Sequence, residues 1–393
     1  MRDQTYQQRG APAAVVTNAS TARSTMSENE TATQLVRIWQ ELLGVEAITL
    51  DQNYFDLGGD SSLAVRLFVR IEAVFHVKLP LATLYEAPTI EELARVIRSA
   101  ASPSSQSKPF WSSLVPFSTE GTRQPLFLMH SHGGNVLEYR ALVQRLGKER
   151  PLYGLQARGL DGNLLPESRI EEMASHYLRE MRSVQPHGPY YLGGFCFGGF
   201  LALEAAQQLR AQNEDVPLVI MINAATKSFH YPPSTGRARR ILYSMSDRFG
   251  LEFDNLSRKP SGMMFTHLLA RGRRLRDVVQ SRAEMLFDKL HRNRDVRNHS
   301  MIYHLERLAM LNDHAWEIYD PKQYEGNVLL LYAGRQPVGI PRDPKLGWNG
   351  LLTGEFQTQE VPGFRQNMLD EPSVEALAVA IMHAIHHCEA KET

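Results

Sequence analysis

The 393-residue chain predicts two unequal folded units, a small helical bundle followed by a larger α/β domain whose parallel sheet is covered by helices. Three observations lead there. Between Thr33 and Arg98 apolar residues recur at helical spacing with little strand signal. From residue 125 onward, short apolar runs alternate with helical patterns, as parallel strands joined by helices require. Within that second region, residues 189–206, PYYLGGFCFGGFLALEAA, read as strand, sharp turn and helix: the apolar run ends at Leu192, glycines follow, and Leu201, Leu203, Ala205 and Ala206 open a helical pattern after Cys196.

Composition narrows the class. The formal net charge is zero and 22% of residues are charged, which supplies no general attraction to nucleic acid or to a membrane surface. There is no apolar run long enough to span a bilayer, and the polar N-terminus has no signal-peptide core, so a soluble, cytoplasmic protein is expected. The two cysteines, Cys196 and Cys388, are too few for a disulfide scaffold and lack C-x-x-C spacing, so no metal site is expected.

Taken in order, residues 1–27 carry few large apolar side chains and are expected to be disordered. The helical unit covers residues 28–100. Leu35, Ile38, Trp39, Leu42 and Leu43 share one helical face that ends at Gly44. Leu63, Leu67, Val69, Ile71 and Val74 mark a second helix whose first turn holds Ser61 and Ser62, and Thr89-Ile90-Glu91-Glu92 is a capping box opening a last helix through Leu93, Val96 and Ile97. Residues 101–115, rich in serine and proline, form a linker. The second domain, 116–393, takes strands from PLFLMH, PLYGLQA, the run before Cys196, PLVIMIN at 217–223 and NVLLLYAG at 327–334. About residues 226–312, the pattern is helical and polar; an insertion of this length is expected to form a helical lid.

Gly194-Phe195-Cys196-Phe197-Gly198 has the form of a nucleophile elbow, in which small residues let the turn tighten and the central side chain project above the sheet. The central group here is a thiol. An ordinary cysteine is already a few per cent thiolate at neutral pH, and the N-terminus of the following helix favours an anion. The other reading of Cys196 is a structural cysteine in the core. Ser61, at the head of a helix, is either a helix cap or a site where a phosphate would meet free backbone N–H groups.

FDLGGDSSLA at 55–64 resembles the L-G-G-[DH]-S-L motif of the carrier proteins of nonribosomal peptide and polyketide synthases. The resemblance implies a four-helix carrier domain carrying a covalent 4′-phosphopantetheine on Ser61, with Asp60 beside it in the motif. A phosphopantetheinyl transferase and upstream synthase modules are then expected partners. The second domain, from HSHGG at 130–134 through the Cys196 turn and LGW at 346–348 to VPGFRQNMLDEP at 361–372, is similar to the terminal thioesterases of the same assembly lines. That family has the α/β-hydrolase fold with a helical lid. By this resemblance Cys196 is the nucleophile, and the backbone N–H groups of Phe197 and of Ser131 or His132 form the oxyanion hole. His130 and His132 otherwise read as loop histidines without a catalytic part.

The triad departs from the family pattern. The acid position after the strand that follows the elbow helix holds Asn223, and the histidine position, three residues before Met368-Leu369, holds Arg365. Arginine retains its proton at any ordinary pH and cannot be a general base. Gly334-Arg335-Gln336 supplies no carboxylate at the later strand. Three functions follow from these residues: acyl transfer from the Ser61 arm to Cys196 and on to water, an amine or an acceptor protein; a non-catalytic module that docks or shelters the carrier-bound chain; or hydrolytic release with another histidine as base, His132 first. Residues 237–297 hold 15 basic against 7 acidic residues, while 28–98 hold 6 against 11, so opposite charge is expected to draw carrier and lid together.

Overall fold

Residues 28–102, 112–160, 165–230, 301–335 and 343–392 are described by the computed structural model. Four helices build the first unit: α1 (Glu28–Leu43), α2 (Ser61–Phe75), α3 (Thr83–Glu86) and α4 (Ile90–Ala101). Leu35, Ile38 and Trp39 of α1 face Leu67, Phe68 and Ile71 of α2 and Leu93 and Ile97 of α4 in one apolar cluster. Trp39 meets the ring of Tyr54 edge-on at 5.2 Å between centroids. The capping box forms: the Glu92 N–H donates to Thr89 Oγ1, and the Thr89 N–H donates to Glu92 Oε2. On α2 the buried positions are Ala64, Leu67, Phe68 and Ile71, whereas Val74 is exposed. The stripe is therefore rotated from the one the sequence suggests, because Phe68 fills more of the core than a terminal-turn valine does.

The second unit is a single sheet of the described strands β1 (Leu114–Ser118), β2 (Leu126–Met129), β3 (Leu152–Leu155), β4 (Tyr191–Phe195), β5 (Leu218–Ile222), β6 (Val328–Arg335) and β7 (Phe356–Phe364). Their order is β1-β3-β2-β4-β5-β6-β7, with β1 antiparallel to β3 and every other pair parallel. Central strands buried on both faces read as unbroken apolar runs, and all five residues of β5 are buried. One face is covered by α6 (Ile170–Arg182) and α7 (Phe197–Ala211), the other by α5 (Arg140–Leu146) and α10 (Ser373–Glu392). This is the α/β-hydrolase arrangement. The parallel strands point one way, so the segments leaving β2, β4, β5 and β7 gather at a single edge, the usual place for a site in such sheets.

Of the expected lid, the structure describes α8 (Lys227–His230) and the start of α9 (Met301–Ile318), which runs past residue 312. The remainder of the lid, the basic stretch 237–297, the N-terminal 1–27 and most of the linker lie outside the described residues. No described helix is long and apolar enough to cross a membrane.

The two units meet directly. Tyr85 of α3 donates its hydroxyl to the carbonyls of Val136 at 2.9 Å and Leu137 at 3.3 Å, and its ring lies 4.7 Å from that of Phe117. Arg140 stacks over Phe55 at 4.2 Å and pairs with Asp56 at 3.0 Å. Leu137, Ala157, Leu160 and Leu308 close the cluster of the helical unit from the other side.

Candidate active site

The turn after β4 holds Cys196 at φ 53° and ψ −112°. A side chain there is strained, and the turn is fixed around it by the Cys196 N–H donating to Ile222 O at 2.7 Å and the Gly199 N–H donating to Cys196 O at 3.1 Å. Both motif glycines are sterically required. A Cβ on Gly194 would fall onto the Gly198 backbone, and one on Gly198 would fall onto the Met129 carbonyl. Below the turn, Tyr139 bridges the two strands, donating to Met129 O at 2.6 Å while accepting the Phe195 N–H at 2.8 Å.

Cys196 is a free, exposed thiol, which removes the structural-cysteine reading. Cys388 is the buried one, with its sulfur 3.7 Å from Pro217 O. The thiol's acidity differs from expectation. Desolvation by the surrounding residues pushes it above its ordinary value; the Arg365 charge and the Phe197 N–H act in the other direction, while Glu138 and Asp313 add to the rise. The helix N-terminus alone does not decide the balance. Phe197 thus offers its N–H to the sulfur, at the place expected of an oxyanion-hole donor.

The HSHGG turn divides its duties. His130 is fully buried, with Nδ1 donating to Ser131 O at 2.6 Å and Nε2 accepting from the Tyr177 hydroxyl at 2.7 Å. Burial lowers its pKa to about 4, so it stays neutral and structural. The Ser131 N–H is engaged by Glu138 Oε1 at 3.1 Å, which leaves His132 as the second oxyanion donor of the two expected. Burial raises the Glu138 carboxyl to about 7. His132 stands at the rim with Asp313 Oδ1 3.3 Å from its Nε2, and its carbonyl accepts from Asn312 Nδ2 at 2.8 Å.

Asn223 follows β5 at φ 49° and is committed to the sheet: its N–H donates to Leu331 O at 2.7 Å, and Oδ1 accepts the Ala333 N–H at 3.4 Å. Arg365 follows β7 directly, close enough for its charge to act on the thiol. The structure therefore brings Cys196, Phe197, His132 and Arg365 together. It adds Glu138, Tyr139, Asn312 and Asp313, which carried no motif in the sequence.

In the helical unit the head of α2 is shaped for an anionic group. Asp60, not Ser61, is the N-cap, with Oδ1 accepting the Leu63 N–H at 2.8 Å. Gly58 takes φ 91°, and Gly59 lies against Tyr54 so tightly that a Cβ would collide with its ring. Ser61 is the first residue of a 15-residue helix, where a phosphodiester would meet backbone N–H groups. The residues present fit a phosphopantetheine attachment, with Asp60 fixing the turn.

Fold and site together define a helical carrier joined to an α/β hydrolase with a cysteine elbow. Residues 124–384 match the thioesterase domain family, and residues 33–97 match the phosphopantetheine attachment site. The chain belongs to the thioesterase family and carries a covalent 4′-phosphopantetheine on a serine of its helical domain. It is similar to malpibaldin synthetase of Mortierella alpina, 36% identical over 83% of this chain and 5% of that protein. A dimodular nonribosomal peptide synthase of Bacillus subtilis (strain 168) is 30% identical over 83% of this chain and 13% of its own length. The chain thus spans a small part of these relatives. In fold it resembles a solved four-domain nonribosomal peptide synthetase, holo-AB3403 bound to AMP and glycine, with a TM-score of 0.53 and 24% identity, covering 97% of this chain and 27% of that one.

Proposed function

We propose that this chain is the carrier and thioesterase end of a natural-product assembly line of the nonribosomal peptide or polyketide type, and that Cys196 accepts the acyl chain. Ser61 is the attachment residue. Once attached there, phosphopantetheine supplies a terminal thiol that holds the acyl group as a thioester. The Cys196 thiolate attacks a thioester carbonyl, the Phe197 and His132 N–H groups stabilise the oxyanion, and the departing thiolate takes up the proton released by Cys196. Exchange of thioester for thioester is nearly thermoneutral, and Arg365 favours the thiolate against the desolvation that opposes it. An amine, a hydroxyl or water then collects the acyl group.

The observation that carries this reading is the exposed thiol held on a strained elbow at φ 53°. A conformation of this kind costs roughly 1–3 kcal/mol and persists where the surroundings hold it for use. The second reading, a sheltering module without turnover, draws on Asn223 and Arg365 at the two triad positions. Acylated holo-protein, followed by intact mass and peptide mapping, separates the two. Acyl-Cys196 is expected in the unaltered chain and absent in Cys196→Ala, and Ser61→Ala is expected to take no arm from coenzyme A and a transferase. An unmodified Cys196 after prolonged incubation would leave the sheltering role.

A further inference from the structure

An acylated Cys196 still has to be discharged, and Asn223 and Arg365 provide no base for doing so. His130 is ruled out by its own contacts, since one ring nitrogen donates to Ser131 O and the other accepts from Tyr177. His132 is differently placed. It leaves β2 three residues after Met129, which pairs with Gly194 on β4, two residues before Cys196; the imidazole and the thiol therefore emerge from adjacent strands at the same edge. Two consecutive residues of α9 hold it. Asn312, fully buried, grips its carbonyl at 2.8 Å, and Asp313 places a carboxylate oxygen 3.3 Å from its Nε2.

From this geometry we infer that His132, oriented by Asp313 and Asn312 of α9, is the general base that discharges acyl-Cys196. The inference rests on the reading of Cys196 as the acylated residue. An exposed histidine–carboxylate contact by itself contributes little, and the Asp313 side chain is 70% exposed. The backbone grip of Asn312 is what turns a rim contact into a fixed orientation. A ring held from both the main chain and Nε2 has one geometry to offer.

The roles follow from the tautomer. With its proton on Nε2, toward Asp313, His132 presents a basic Nδ1. Nδ1 takes a proton from water or from an incoming amine as the oxygen or nitrogen bonds to the thioester carbonyl. The tetrahedral intermediate then expels the Cys196 thiolate, which recovers that proton from the imidazolium, leaving free acid or amide and a thiol. Asp313 acts through the imidazolium, whose charge it opposes, and Asn312 acts through the main chain; both are positioning residues. Other charged or titratable groups at this edge are Glu138 through Ser131, His130 beneath the turn, Glu317 on α9, Arg365 after β7 and Cys196 itself.

The experiment separates loading from discharge in the full-length holo-protein. Acyl-Cys196 is formed, isolated and followed by intact mass as it decays, between about pH 5 and 8 where an imidazole changes charge. His132→Gly keeps its backbone N–H; it is expected to slow decay roughly a hundredfold or more, to lose the rise of rate with pH, and to regain rate when free imidazole is added. Asp313→Asn, at an exposed position, is expected to slow decay roughly tenfold to a hundredfold. A His132→Gly protein that decays at the unaltered rate, or a slowed one that imidazole does not rescue, overturns the inference while leaving Cys196 in place. If the unaltered chain never loads Cys196, the reading beneath it fails instead.

Discussion

Replacing the nucleophile with glycine should make the protein inactive and more stable. Cys196 occupies φ 53° and ψ −112°, a region that glycine enters freely and a residue with a Cβ does not. Relief of that strain is worth roughly 1–3 kcal/mol. Against it stands the greater freedom of glycine in the unfolded chain, about 0.4–1 kcal/mol. The thiol is exposed, so its removal forfeits little burial. The net gain is on the order of 0.5–2 kcal/mol, which in a domain of this size moves the Tm up by roughly 1–8 °C. Cys196→Ala keeps the Cβ and hence the strain, so it isolates the backbone term from the loss of sulfur. Thermal melts of the three apo-proteins provide the assay, with acylation by mass as the check on activity. If Cys196→Ala is as stable as Cys196→Gly, the elbow is not strained and the reasoning fails.

Glu138→Gln keeps an oxygen for the Ser131 N–H and removes a charge that raises the thiol, so alkylation of Cys196 by iodoacetamide at about pH 8 should speed up. An unchanged rate would show that the carboxylate does not act on the sulfur. The same carboxyl, raised from 4.5 to about 7, binds its proton more tightly in the native state, so its contribution to stability falls as pH rises through that window; Glu138→Gln should reduce the difference in urea midpoint between its two ends. Asn223→Asp with Arg365→His restores an acid and a base at the family's positions, and the Asp oxygen can still accept the Ala333 N–H; hydrolysis of acyl-Cys196 should rise about tenfold or more, read as single-turnover decay. Tyr85→Phe removes the bond to Val136 O and should weaken the contact between the two units by about 0.5–1.5 kcal/mol, seen as faster proteolysis of the linker.

The sequence conveyed what depends on periodicity and turn chemistry. The elbow, the capping box at Thr89 and the buried parallel strands all declared themselves because each is a local pattern with one physical explanation. The edge strands did not. In β7 only Val361 is buried and polar residues alternate along its length, while β1 is a short antiparallel strand at the other edge. The site was legible where it sits on the elbow and illegible where it is assembled from distant elements. Asp313 and Asn312 lie about 180 residues from the loop they hold, and in sequence they are two polar residues on a helix. The acidity of Cys196 was equally hidden, since it is set by how many atoms crowd the thiol and by Glu138, Asp313 and Arg365 arriving from three elements. Ser61 looked as suited to a cap as to a modification, and only the Asp60 bond to the Leu63 N–H separates the two.

The contact between the units bears on the chemistry because it uses the same turn and the same helix as the site. Tyr85 binds the carbonyls of Val136 and Leu137; the next residue, Glu138, holds the Ser131 N–H, and the one after it, Tyr139, ties Met129 to Phe195 beneath the elbow. On α9, Leu308 is buried with the carrier's core, and one turn later Asn312 and Asp313 reach His132. Carrier docking thus buries apolar surface on the two elements that set the oxyanion turn and the base. A docked carrier favours the arrangement in which both are in place, and by linkage an ordered site favours the docked carrier. The described contact is mainly apolar, with Asp56–Arg140 as a half-exposed pair, so this coupling draws on burial more than on charge.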